Sequence, residues 1–118
     1  MSAESPSEER IGAGALLSGG EFAGEVVYAD SVPAVLELLS RELGDSVLVT
    51  DQASATAFAP ILPRLRGVVC AGGGEAAHLA IVARGLDLPC VMQARLQRQP
   101  GEGERIRVGA DGSIWLGR

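Results

Sequence analysis

Short runs of β-branched and apolar residues alternate with amphipathic helical stretches along this chain, and that alternation predicts an α/β domain. Two further observations strengthen the prediction. The run Gly67-Val68-Val69-Cys70 leads through three glycines into a helical pattern over 76–86, which is a strand, loop, helix unit. The chain then closes on two alternating runs, 105–108 and 113–116, around Asp111-Gly112, a strong hairpin signal. A length of 118 residues suits one domain, with 1–10 read as a flexible, polar tail and 11–118 as the folded unit.

In order, the stretch 11–30 is rich in glycine, with Gly19, Gly20 and Gly24 punctuating apolar pieces and Glu25-Val26-Val27-Tyr28 reading as a strand. Pro33 suits a first helical turn. Val35, Leu36, Leu38, Leu39 and Leu43 then form an apolar face opposite Glu37, Arg41 and Glu42, and Gly44 ends the helix. Val47-Leu48-Val49-Thr50 reads as a buried strand, followed by a small helix over 53–59. Asp51 stands between them, as a helix cap or as a residue facing a ligand at the strand's carboxyl end. Pro60 and Pro63 interrupt the helical pattern. The helix over 76–86 is apolar almost all round, with Leu79, Val82, Ala83 and Leu86 at core spacing, so it packs against the sheet. Pro89-Cys90-Val91-Met92 is a further strand, and 93–104, with Pro100-Gly101, reads as a polar loop.

Composition bounds the function. Aromatic residues are 3% of the chain and apolar residues 47%, which predicts small side chains between close layers and no large aromatic pocket. A formal charge of −5 argues against broad nucleic-acid binding and favours a basic or phosphorylated protein partner. No stretch is long or apolar enough to span a bilayer, and 1–10 lacks the features of a signal peptide, so a cytoplasmic protein is expected. Cys70 and Cys90 sit in apolar runs as small buried hydrophobes, and no metal site is expected from two cysteines without further partners.

The candidate site is the stretch 72–84. Gly72, Gly73 and Gly74 can bring backbone amides close to a ligand, and the helix that follows presents unpaired N–H groups and a positive dipole end, which suits an anion such as phosphate. Its first turn carries His78, the sole histidine. Taken alone, His78 is a surface residue or a satisfied hydrogen-bonding group, the glycines a tight turn, and Arg84 a solvated or locally paired helix residue.

Gly73-Gly74, His78, Ala80-Ile81-Val82-Ala83-Arg84 and Pro89 resemble the phosphohistidine signature of the phosphoenolpyruvate-utilising enzymes, whose members include pyruvate phosphate dikinase, phosphoenolpyruvate synthase and Enzyme I of the sugar phosphotransferase system. The spacing of Gly19, Gly20 and Gly24 and the terminal hairpin extend the likeness over nearly everything after the tail. The resemblance implies a three-layer β/β/α swivelling phosphohistidine-type fold. It implies a stand-alone phosphoryl carrier, a phosphotransferase component with His78 as nucleophile and Gly72, Gly73, Gly74 and Arg84 holding the phosphoryl group. It also implies partners: an ATP-grasp nucleotide-binding protein and a phosphoenolpyruvate/pyruvate-type or acceptor-site protein. ATP or phosphoenolpyruvate and Mg would reside on those partners, with no cofactor on this chain.

The chain departs from the pattern where hydroxyl or thiol donors usually precede the histidine, because Ala76 and Ala77 offer none. Glu75 adds a carboxylate beside the site, and Gln93 replaces a glycine that commonly closes the motif. These changes favour an alternative reading, a non-catalytic protein-interaction domain with the same fold and a decayed site. A third reading is a module binding a small anionic ligand at the glycine loop.

Overall fold

A computed structural model describes residues 8–29, 31–51, 55–71 and 76–117. Seven strands occur among them: β1 (Glu9–Ser18), β2 (Phe22–Tyr28), β3 (Ser46–Thr50), β4 (Gly67–Cys70), β5 (Cys90–Leu96), β6 (Arg105–Val108) and β7 (Ser113–Gly117). Helices α1 (Val32–Leu38), α2 (Ala55–Phe58) and α3 (Ala76–Gly85), with a 3-10 turn at Leu62–Arg64, lie in the crossovers between β2 and β5. No helix among the described residues is long and apolar enough to cross a membrane.

The strands close into one barrel in the order β1-β5-β4-β3-β2-β6-β7, and this corrects the expected three-layer β/β/α swivelling fold. The physical reason is β1, which begins at Glu9, inside the stretch read as a tail, and runs into a stretch read only as rich in glycine. It pairs antiparallel with β5 along one side and with β7 along the other, so it joins the edge of the parallel strands to the terminal hairpin. Its glycines are there because the neighbouring strand leaves no room. A Cβ on Gly12 would lie 2.1 Å from the Arg95 carbonyl oxygen, and one on Gly14 would lie 2.5 Å from Val91 Cγ1.

Strands β2, β3, β4 and β5 are parallel neighbours, and their side chains alternate between two cores with the strand period of two. Val26, Val47, Val49, Val69 and Val91 point into the barrel, where Ile11, Ile106, Val108 and Ile114 meet them from the antiparallel half. Val27, Leu48, Val68, Cys70, Cys90 and Met92 point outward and are covered by Val35, Leu38, Phe58, Leu62, Leu79 and Ala83. Burial pushes the Cys90 thiol up to about 12, and nearby Cys70 adds to the shift, so Cys90 is a packed apolar group and not a nucleophile.

Helix α1 is shorter than its apolar pattern predicts. Ser31 caps its start by accepting from Ala34 N, and its end tightens at Leu39 as the Ser40 and Arg41 amides donate to the carbonyls of Glu37 and Leu38. Arg64 donates to the carbonyl oxygens of Leu39 at 2.8 Å and Arg41 at 2.7 Å, satisfying groups that a longer helix would have bonded internally. Leu43 still reaches the core, from a loop. Strand β5 continues to Leu96, through residues read as the start of a loop, by way of an irregularity opposite Gly14 at which Gln93 adopts φ 54°.

Candidate functional site

Parallel strands that share a direction bring their carboxyl ends to one rim of the barrel, where backbone pairing stops and side chains from different strands converge. A cavity of about 370 Å³ opens at this rim. Tyr28 and Ala29 reach it from the end of β2, and Thr50 and Asp51 from the end of β3. Ala71 follows β4, and its amide donates to Thr50 O at 2.8 Å, extending the ladder by one residue. Val49 of β3 adds apolar wall, and Leu96 and Gln99 supply the rest from β5 and the loop after it.

That loop is fastened in place. Gln97 N donates to Ile11 O at 2.7 Å, Gly103 N to Val26 O at 2.9 Å, and the Tyr28 hydroxyl to Pro100 O. Burial holds the Tyr28 phenol above its ordinary value, a hydrogen bond with Gln99 opposes this, and the charges of Glu104 and Glu102 raise it further. The phenol is therefore a neutral hydrogen-bonding group at physiological pH. Thr50 is buried and Asp51 is exposed, so the wall grades from a hydroxyl inside to a carboxylate at the mouth.

Of the residues expected to carry phosphate, His78 and Arg84 are not among the described lining residues of this cavity. Gly72, Gly73 and Gly74 lie outside the described residues, although Ala71, the residue before them, lines the cavity. His78 is exposed in the first turn of α3, while Leu79 and Ala83 turn inward. Arg84 is exposed in the last turn, six residues and about 9 Å of helix rise further on, without sharing the face of His78. Among the described residues no group of three or more His, Cys, Asp or Glu is placed to hold a metal. Asp51, considered in the sequence as a cap or a strand-end residue, does line the cavity. Tyr28, Thr50 and Gln99 were not singled out, and their only signal was position at or after the ends of parallel strands.

The fold and rim define a closed mixed barrel with a strand-end cavity. Residues 43–112 match the sequence model of the family described as PEP-utilising enzyme, mobile domain, and the chain belongs to that family. A comparison with curated protein sequences finds no match. Among solved structures, the holo-form of Thermococcus kodakaraensis aconitase X is similar, at 17% identity and TM-score 0.62, over 93% of this chain and 100% of that one. The solution structure of a UPF0107 protein is similar at 12% identity and TM-score 0.60, over 94% and 98%. RraA, the RNA-processing inhibitor from Thermus thermophilis, is similar at 17% identity and TM-score 0.59, over 98% and 93%. These likenesses are of fold.

The matched folds overturn what the resemblance implied beyond membership. The chain shares a closed barrel with these three proteins, which corrects its identification with the swivelling phosphohistidine domain of pyruvate phosphate dikinase, phosphoenolpyruvate synthase and Enzyme I. The phosphoryl-carrier function, with its interaction-domain alternative, and the description as a phosphotransferase component fall with it. So does the partner set of an ATP-grasp protein and a phosphoenolpyruvate/pyruvate-type or acceptor-site protein.

Proposed function

We propose that this chain is a small-molecule-binding barrel module that holds its ligand at the carboxyl-end rim of β2, β3, β4 and β5. The observation that carries the reading is the cavity of about 370 Å³, with a phenol, a buried hydroxyl, a carboxylate and an amide converging on apolar walls. Its size is in the range of small-molecule sites, about 300–1,000 Å³, and its mix of apolar lining with a few placed polar groups is what orients such ligands. The likeness in fold to aconitase X in its holo-form, over a whole chain of this size, supports a ligand-handling role. Gly72, Gly73, Gly74 and His78 enter this proposal as groups meeting the ligand from the α3 side, with Arg84 outside it. The proposal needs no cofactor held by this chain. It places the protein in the cytoplasm, a reading supported by two cysteines buried among apolar residues, which suit a reducing compartment.

The test is a fragment panel followed by amide chemical shifts. Binding compounds are expected to shift Tyr28, Thr50, Asp51, Ala71 and Gln99 together, and Thr50→Val to weaken binding by about 1 kcal/mol through loss of one hydrogen bond. Shifts that cluster on the far end of the barrel, around residues 20–22 and 109–112, would overturn the site.

A further inference from the structure

We infer that the ligand taken at this rim is a small organic cation, an amine or guanidinium carried on an apolar body. The inference rests on the rim being a binding site and concerns which chemistry the rim selects. Asp51 carries the one formal charge among the described lining residues, since the Tyr28 phenol is neutral and the remaining walls are amide, hydroxyl or hydrocarbon. Among the described residues Asp51 has no cationic side chain within 4 Å.

The chain has few cations to offer it. All ten basic residues are arginines, and none is among the described lining residues. Arg98, beside the lining residue Gln99, is directed at Glu9 with Nη1 to Oε1 at 2.7 Å. Arg41 pairs with Glu102 at 3.3 Å, and Arg64 is held by the carbonyls after α1. Glu104 adds negative charge on the Tyr28 side of the mouth, while Glu102 is paired with Arg41.

A cleft lined by one sign of charge between apolar walls concentrates the opposite charge. Tyr28 adds an aromatic ring to the lining, a group that attracts cations, and Ala29, Val49 and Leu96 supply apolar wall for the rest of the molecule. An anion would meet the Asp51 carboxylate, and none of the described lining residues is an arginine that could offset it.

Benzylamine, benzyl alcohol and benzoate share a ring and differ in charge, so titrating each into the whole chain while following amide shifts separates the charge from the site. Benzylamine is expected to shift the rim amides and to bind roughly tenfold more tightly than benzoate, with Asp51→Asn removing most of that preference. The exposed position of Asp51 makes the variant a safe one, and unchanged shifts in β6 and β7 would confirm its fold. Benzoate or benzyl alcohol binding at the rim as tightly as benzylamine would overturn the cation inference and leave the rim standing as a site. A preference undisturbed in Asp51→Asn would overturn the role of Asp51. Absence of rim shifts with all three compounds would overturn both the inference and the site.

Discussion

The parallel half of the barrel and its antiparallel half contrast in how they are built and in what they contribute. Strands β3 and β4 are continuous apolar runs, buried on both faces between the barrel interior and the helices, and their ends form the rim with those of β2 and β5. Strands β1, β6 and β7 have one face in the barrel and one turned outward, and they hold the closure through glycine contacts and charged pairs. The difference teaches that the half carrying the cavity depends on the other half to close it. A change in β1 or β6 should therefore reach the rim only by opening the barrel.

Gly12 gives the largest expected effect. Adding a side chain at Gly12→Val drives a Cβ into backbone, 2.1 Å from the Arg95 carbonyl oxygen, where no flexible side-chain end can yield. The β1–β5 seam must separate. Chemical denaturation is expected to show a loss of about 3 kcal/mol or more, and rim ligands should bind more weakly in proportion. Gly20→Ala, where an added Cβ meets nothing within 4 Å, is the control and should change stability by less than about 1 kcal/mol. Equal stabilities for the two variants would show that β1 does not close the barrel.

The same residues explain what was legible in the sequence. Val47 to Thr50 and Val68 to Cys70 announce themselves because a strand buried on both faces is a run of β-branched and apolar residues. The terminal hairpin is legible from Asp111-Gly112, with Gly112 at φ 86° as such a turn demands. Strand β1 is not legible, because Gly12 and Gly14 answer to the approach of another strand, which local patterns do not encode, and glycine locally reads as a turn. Closure was lost with it, which left an α/β alternation without a barrel, and the layered arrangement was what the resemblance implied. The cavity is harder still to read, since its lining is spread from Tyr28 to Gln99 and meets only through the parallel register. The motif around His78 drew attention to the start of α3 because it is contiguous.

Charge sharpens the comparison at the outer face of the antiparallel half. Glu8 accepts from Arg107 Nε at 2.8 Å and from its Nη2 at 3.1 Å, and the same guanidinium lies over the Trp115 ring at 5.4 Å. The Arg107 hydrogen bond, outweighing partial burial, holds the Glu8 carboxyl below its ordinary value of 4.5. A depressed carboxyl contributes stability that is complete above the unfolded value and lost as pH falls through the folded one. Glu8→Gln is therefore expected to cost about 1 kcal/mol at neutral pH, discounted for solvent exposure, and the difference should fade as pH falls below 4.5. A difference that grows in acid would mean that Glu8 acts otherwise than through its charge.

The smallest expected effect lies at the seam between the halves. Gln93 is exposed, in the left-handed region at φ 54°, where the β1–β5 register slips between Ala13 and Ala15. A side chain with Cβ is disfavoured there by about 1–2 kcal/mol, and glycine is not. Glycine would, however, give the unfolded chain more freedom, a cost of about 0.4–1 kcal/mol that offsets part of the relief. The balance predicts that Gln93→Gly stabilises the protein by about 0.5 kcal/mol, read as a higher denaturation midpoint at unchanged slope. It predicts also that Gln93→Val, β-branched in the same conformation, is destabilised. The pair separates strain from packing: an exposed side chain has little packing to lose, so destabilisation by both substitutions would mean that Gln93 holds the bulge by contacts of its own. Opposite signs would identify the bulge as a glycine position occupied by glutamine, where the barrel accommodates backbone strain between its two kinds of sheet.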